Sequence, residues 1–242
     1  MSSLHAKTFE GPKALQTLDL SKNILTALVN ESFVALDTLV ELRLSHNKIN
    51  SLHSSAFVGL HRLRVLYLDH NLMSFIDPSW FQPLGSLRFL YLGHNMIRWV
   101  RKATYLPIIN SSHFAPNSPF DLIFPPRSLP PLAFRPLKAL KILDLGQNKI
   151  HNISQEAFYG ARAVDTLDLS ENLLNLVPNA ALIAMENLAY LDLSSNPIKT
   201  IGKNCIQIYS NFKYSSWLSW FPLCQTKMHE AQLRAFWGFL LG

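Results

Sequence analysis

Three histidines recur at a fixed interval, and at that interval their imidazole groups could act together chemically. His46, His70 and His94 are each separated by 24 residues. Neighbouring imidazoles at such a spacing could bind a transition-metal ion or respond to pH. No carboxylate or cysteine recurs at the same position, so we expect neither a metal site nor a cofactor. Repulsion between charged imidazoles would lower their pKa values, and the favoured hypothesis is a weak change in ligand binding between about pH 5 and 7.5.

The motifs that carry catalysis are missing from the sequence. It contains no glycine-rich phosphate loop, no GxSxG, no HExxH and no CxxC. Because the chain has nine histidines, an aspartate and a histidine in adjacent repeats can always be paired, and such a pair is not evidence for a catalytic site. The sequence therefore predicts that this protein is not an enzyme.

The histidine interval is also the period of most of the chain. Seven segments follow the pattern LxxLxLxxN at intervals of 24 residues, apart from one interval of 53 (one segment begins with valine). Alternation such as Leu18-Asp19-Leu20 predicts a short strand with its leucines inward and the intervening residue outward. The ninth position is always asparagine, whose amide can satisfy backbone groups where the chain leaves the strand and in the next coil. These asparagines are Asn23, Asn47, Asn71, Asn95, Asn148, Asn172 and Asn196.

A phenylalanine downstream of the strand keeps the same period and predicts an aromatic stack behind the sheet. The complete pattern, LxxLxLxxNxLxxL followed by Phe, resembles the leucine-rich repeat of the "typical" extracellular kind, found in receptor and matrix ectodomains such as Toll-like receptors. The resemblance implies an α/β fold, a right-handed solenoid with a concave parallel sheet and an irregular or 3-10 convex side. The phenylalanines are Phe9, Phe33, Phe57, Phe81, Phe134 and Phe158.

The repeat pattern divides the chain into four segments. Repeats occupy residues 1–100, which start inside a repeat, and residues 134–201. Residues 101–133 form a proline-rich insertion, for which a loop or disordered segment, a functional element and translated non-coding sequence remain open. Residues 202–242 leave the pattern and are either a partial cap or a splice-variant or out-of-frame tail.

Signals of location point in two directions. The resemblance implies a secreted or cell-surface parent protein, and three N-x-S sequons are candidate glycosylation sites. The first residues lack an apolar secretory signal, so the location of this chain itself stays open. No apolar run is long enough to predict a transmembrane helix. The glycosylation candidates are Asn30, Asn110 and Asn152, and the candidate disulfide joins Cys205 and Cys224.

The concave face is where a solenoid usually binds partners, because neighbouring strands present outward residues about 4.8 Å apart. In the middle repeats these residues are Arg43, Val65, Tyr67, Phe89 and Tyr91. Tyrosine and arginine are enriched at protein-binding hot spots. We therefore expect a protein ligand or co-receptor to bind here.

Net charge bears on the class of partner. The chain carries a formal charge of +6, but most of the excess lies in the insertion and the tail. Because the repeats are nearly neutral, the sequence predicts no nucleic-acid partner.

The predicted function is a non-enzymatic protein-recognition module within a receptor, adhesion or matrix protein. Two alternatives stay open. One is a truncated splice product that has no activity of its own or acts as a decoy for a longer receptor. The other is an intracellular leucine-rich repeat scaffold, in which the two cysteines would be reduced.

Overall fold

A computed structural model of the chain shows a repetitive arrangement of short strands. The structure describes residues 14–100 and 133–199, together with residues 4, 8, 9, 11, 128 and 129. In chain order the strands are β1 (Thr17–Asp19), β2 (Ala27–Leu28), β3 (Glu41–Arg43), β4 (Ser51–Leu52), β5 (Val65–Tyr67), β6 (Phe75–Ile76), β7 (Phe89–Tyr91), β8 (Trp99–Val100), β9 (Ser128–Leu129), β10 (Ile142–Asp144), β11 (Asn152–Ile153), β12 (Thr166–Asp168) and β13 (Tyr190–Asp192).

Seven of these strands form one parallel sheet, one strand for each repeat. The order is β1-β3-β5-β7-β10-β12-β13, so neighbours in the sheet are successive repeats along the chain. The central leucines pair in register, as Leu18 does with Leu42. Leu42, Leu66 and their equivalents up to Leu167 are fully buried, while the residues on either side point away from the core. The predicted alternation is therefore confirmed.

The sheet continues across the interruption in the repeat pattern. Phe89 of β7 pairs directly with Ile142 of β10, although they are 53 residues apart in the sequence. On the opposite side of the solenoid, β8 pairs with β6 and β9 pairs with β11. The added residues thus lie between two strands that occupy equivalent places in the repeat. Apart from residues 128, 129 and 133, the predicted insertion lies outside the described residues, as does the segment 202–242.

The side opposite the sheet is built from turns, two-residue strands and short helices. In the described residues, helix is limited to a 3-10 helix, Pro78–Phe81, and an α-helix, α1 (Asn179–Leu182). Asp77 caps the 3-10 helix, because its carboxylate accepts the N–H of Ser79 at 2.9 Å. Within this part of the chain, no helix is long and apolar enough to cross a membrane.

The phenylalanines form the predicted stack behind the sheet. The ring centres of Phe33 and Phe57 are 6.3 Å apart, and those of Phe134 and Phe158 are 6.0 Å apart. The stack also crosses the interruption, since Phe81 lies 6.3 Å from Phe134. All five rings have no solvent exposure. Each repeat therefore buries its apolar face only by contact with its neighbours, as expected for a solenoid.

The asparagines join successive coils where the strands end. Asn71 donates to the carbonyls of Leu44 and Leu68 at 3.0 Å, and its side-chain oxygen accepts the N–H of Ile49 at 3.0 Å. Leu44 and Ile49 belong to the preceding coil, whereas the sequence pattern led us to expect contact with the next one. The residue before each asparagine has a left-handed backbone, with φ between 49° and 56°. This backbone turns the chain out of the strand, and it places His46, His70 and His94 at the turn.

Candidate ligand-binding face

The five predicted contact residues lie on three adjacent strands of the sheet, and we call them the aromatic patch: Arg43, Val65, Tyr67, Phe89 and Tyr91. Arg43, Tyr67 and Tyr91 are paired in register on β3, β5 and β7, and Val65 is paired with Phe89. The rings of Tyr67 and Tyr91 stack 4.7 Å apart, within 5° of parallel. Arg43 is exposed and the other four side chains are half-buried. The structure therefore brings all five together on one continuous surface.

Polar contacts fix the ends of this surface. The guanidinium of Arg43 lies 5.3 Å from the centre of the Tyr67 ring, within the range of a cation–π interaction. Its Nε donates to Glu41, and that hydrogen bond raises the pKa of Arg43. Burial, followed by the neighbouring Tyr67 and Asp144, raises the pKa of Tyr91. Both groups are therefore protonated at neutral pH, and the patch presents hydrogen-bond donors among aromatic rings.

The three histidines stack beside the patch in an imidazole column. The ring centres of His46 and His70 are 4.0 Å apart with a tilt of 30°, and those of His70 and His94 are 3.9 Å apart with a tilt of 19°. The pKa of His94 is lowered, first by burial and second by His70. The repulsion expected from the sequence is therefore only the second cause, after a burial that the repeat spacing does not reveal. The expected pH response of ligand binding stays a prediction.

A carboxylate lies beside the column, where none was expected from the sequence. Asp69 Oδ2 is 2.9 Å from Nδ1 of His70, and Asp69 Oδ1 accepts the hydroxyl of Ser45 at 2.6 Å. His46, Asp69 and His70 together place nitrogen and oxygen atoms within 4.8 Å of one another. The expectation of no carboxylate considered only residues at the same repeat position as the histidines. The left-handed backbone at His70 instead brings Asp69, from the preceding position, into contact with the His70 ring.

Asp144 is a second acidic group that the sequence did not distinguish from the aspartates of later repeats. Burial, followed by Asp168 and Asp69, raises its pKa to about 6, against a lowering effect of the Gly146 backbone. The Gly146 N–H donates to Asp144 Oδ1 at 2.9 Å. A side-chain carbon at Gly93 would lie 2.9 Å from the same oxygen, so glycine leaves room for this carboxylate. In the sequence, the only sign that Asp144 is buried was Gly93, the small residue in the repeat before it.

A groove of about 350 Å³ opens beside the first strands of the sheet. Arg62 and Arg64 line it, and both are exposed. Two guanidinium groups at one groove give a local positive charge that the near-neutral balance of the repeats conceals.

The remaining candidate sites divide between described and undescribed parts of the chain. Asn30 and Asn152 are exposed. Ser32, in the first sequon, is buried and donates to the carbonyl of Val29 at 2.8 Å. Asn110, Cys205 and Cys224 lie outside the described residues.

Known proteins resemble this chain in sequence pattern and in fold. A family model described as leucine-rich repeat matches residues 1–49, 37–97, 126–174 and 138–198. No protein of curated function matches the chain, whereas 445 chains of solved structures do. One of these is a crystal structure of a TLR13–ssRNA13 complex, 29% identical, with a TM-score of 0.68 over 82% of this chain. The match covers 24% of that chain, so the present chain spans about a quarter of its length.

The prediction that nucleic acid is not a partner is wrong. It rested on the charge balance of the repeats, yet a structure similar to this chain is that of a complex with ssRNA13. Net charge averages over all faces of a solenoid, whereas phosphates and bases meet one local surface.

The family follows from these observations taken together. The family model covers more than half of the residues, and every one of its matches falls on strands of the seven-stranded parallel sheet. The chain belongs to the leucine-rich repeat family, whose repeats form protein-interaction modules and are generally not enzymes.

Proposed function

We propose that the aromatic patch recognises a protein ligand or co-receptor, and that the chain is part of a secreted or cell-surface receptor, adhesion or matrix protein. The observation that carries this proposal is the stacking of Tyr67 on Tyr91 beside Arg43, on three adjacent strands. Tyrosine and arginine contribute disproportionately to binding energy at protein interfaces.

Rigidity of the patch supports the proposal. Tyr67 is held between the ring of Tyr91 and the guanidinium of Arg43, and Arg43 is held by Glu41. Side chains that already have restricted rotamers lose less entropy on binding, so more of the contact energy appears as affinity. The patch therefore has both the composition and the order of a recognition surface.

A binding screen against many candidate ligands tests the proposal. The wild-type chain, the Tyr67→Ala/Tyr91→Ala variant and the control Tyr159→Ala are applied to an array of secreted proteins and ectodomains. Tyr159 is 53% exposed outside the concave sheet. We expect ligands of the wild type to be retained by the control and lost by the double variant, with circular dichroism unchanged. Ligands retained by the double variant would place the binding surface elsewhere.

A second candidate function is recognition of single-stranded nucleic acid. It is favoured by the similar structure of a TLR13–ssRNA13 complex and by the stacked tyrosines, since bases stack on aromatic side chains. Fluorescence anisotropy with labelled ssRNA13 tests it in the wild type, the double tyrosine variant and Arg62→Ala/Arg64→Ala. Binding that weakens with salt and is lost in both variants would support nucleic acid as the ligand. Salt-independent or absent binding would reject it.

The extracellular location is a separate proposal with its own test. The chain is expressed behind a secretory leader and digested with a glycosidase, beside Asn30→Gln and Asn152→Gln variants. We expect a secreted product whose mobility shift becomes smaller in each variant and is lost when Asn110→Gln is added to both. An unglycosylated product with reduced Cys205 and Cys224 would favour the intracellular scaffold. A folded product that binds nothing on the array would favour a splice product without activity of its own. Binding to the partners of a longer receptor, without signalling, would favour a decoy.

A further inference from the structure

We propose that His46, Asp69 and His70 form a binding site for a divalent transition-metal ion of the zinc class. The site lies at the carboxyl ends of β3 and β5, beside the aromatic patch. It does not depend on the identity of the protein or nucleic-acid ligand. The sequence showed a column of imidazoles, and the structure adds the carboxylate that completes a set of three ligands.

Distances between the three side chains carry the proposal. Their ligand atoms lie within 4.8 Å of one another, and Nδ1 of His70 is 2.9 Å from Asp69 Oδ2. Zinc bonds of about 2.0–2.1 Å in a tetrahedral site place ligand atoms about 3.3 Å apart. The His70–Asp69 pair is already near that separation. Only His46 has to rotate closer, and it lies in the turn after the adjacent strand, β3, with its ring 4.0 Å from that of His70.

The surroundings hold the carboxylate in place. Asp69 Oδ1 accepts the hydroxyl of Ser45 at 2.6 Å, which leaves Oδ2 directed at His70. Such outer contacts orient the ligands of a metal and raise affinity. His94 stacks on the other face of His70 at 3.9 Å and restricts rotation of that ring. An ion that binds between His70 and Asp69 takes the place of the contact between Nδ1 of His70 and Asp69 Oδ2.

The ligand set selects the class of ion. Two imidazole nitrogens with one carboxylate oxygen suit zinc, nickel or copper, whereas calcium and magnesium prefer oxygen alone. Three protein ligands leave a fourth position for water or a group from a bound partner. His46 is exposed, and Asp69 and His70 are half-buried, so an ion can enter from solvent.

Zinc titration by isothermal calorimetry tests the proposal on the full chain, with no affinity tag. Cys205→Ser and Cys224→Ser are introduced in every protein, because thiolates also bind zinc. We expect one ion per chain and a loss of affinity of at least tenfold, on the order seen for metal-site contacts, in Asp69→Asn, His46→Ala and His70→Ala. The matched control is His61→Ala, which removes an exposed histidine away from the column. It should bind zinc as the parent protein does.

Stability provides a second readout. Zinc should raise the Tm of the parent protein and of His61→Ala but not that of Asp69→Asn, because an ion that binds only the folded state stabilises it. Asparagine can still accept the hydroxyl of Ser45, so Asp69→Asn is expected to fold, and His46→Ala alters only an exposed side chain. Calcium should have no effect. Affinity for zinc that is unchanged in Asp69→Asn and His46→Ala, or reduced equally in His61→Ala, would overturn the proposal. Equal affinity for calcium would also overturn it.

Discussion

Single residues in this chain have roles that depend on their repeat position. An asparagine at the ninth position bonds to two coils, while the residue before it adopts a left-handed backbone. Lys22, His46 and Ser195 share that backbone with φ of about 55°, although their side chains differ in chemistry. The asparagine contacts, rather than the eighth residue itself, therefore hold the turn.

Replacement of a buried ladder asparagine should be costly. Asn71 is 4% exposed. Asn71→Ala leaves the N–H of Ile49 without its partner and removes one of the two hydrogen bonds to the carbonyl of Leu44, the other being donated by Asn47. We expect a loss of about 2–4 kcal/mol in the free energy of unfolding. The control is Asn23→Ala, an exposed rung whose side-chain hydrogen bonds to described residues stay within its own turn, with a loss of about 1 kcal/mol or less. Urea denaturation measures both, and equal losses would contradict a role in joining coils.

Asp144 should make stability depend on pH. Its folded pKa, about 6, lies above the ordinary value of 3.8, so the folded state binds the proton more tightly. The stabilisation is complete below about pH 4 and is lost as pH rises to about 6. Asp144→Asn removes this loss and should be more stable than the wild type at pH 8 by ~1–2 kcal/mol, after allowance for partial solvent screening. Thermal unfolding of the two proteins at about pH 4, 6 and 8 measures this difference, because these values span the two pKa values of Asp144. If Asp144→Asn is less stable than the wild type at pH 8, the predicted effect of Asp144 is contradicted.

At the scale of elements, each strand depends on a turn that brings the chain back to the next repeat. Gly59 lies in one such turn with φ of 96°, where a side-chain carbon would be 2.7 Å from the carbonyl oxygen of Val34. Val34 belongs to the preceding repeat, so this glycine permits close approach between coils. Neighbouring coils can therefore pack at the spacing of the strands only if the turn at Gly59 has no side chain.

Gly59→Ala tests this requirement. We expect a loss of about 2–3 kcal/mol in the free energy of unfolding, from an unfavourable φ and from the contact with Val34. Gly85→Ala is the matched control, because nothing lies within 4 Å of its added carbon, and it should change stability by less than about 0.5 kcal/mol. Similar denaturation midpoints for the two variants would show that the coils separate without cost.

The elements were predictable where a residue type repeats at one position. Period-two alternation around the leucines predicted the seven strands, and the spacing of the phenylalanines predicted the stack. The pairing of Asp69 with His70 was not predictable, because it joins consecutive positions through a left-handed turn. The burial of Asp144 against Gly93 was hidden for a similar reason, since it depends on residues 51 apart in the sequence that the insertion separates.

At the scale of the whole molecule, the repeats form one sheet despite the interruption. β7 and β10 pair in register, and β8 and β9 occupy equivalent places on the opposite side. The segment between them is therefore not needed to connect the two blocks of repeats.

Removal of residues 101–129, which also takes out β9 and leaves β8 in the equivalent place, should give a folded solenoid. The deletion shortens the step from Val100 to Phe134 to the same length as the step from Leu52 to Phe57. We expect one cooperative unfolding transition and an unchanged far-ultraviolet circular dichroism spectrum per residue. Two separate transitions would show that the segment couples the two blocks.

The central claim is that the chain binds its ligand through the aromatic patch, and affinity for a ligand found on the array tests it most directly. Surface plasmon resonance compares the wild type with Tyr67→Ala/Tyr91→Ala and with Tyr159→Ala. Loss of two hot-spot side chains should weaken binding at least about tenfold, or ~1.4 kcal/mol. Tyr159→Ala should remain within about twofold of the wild type. Equal affinities for all three proteins, with the fold intact, would contradict the claim.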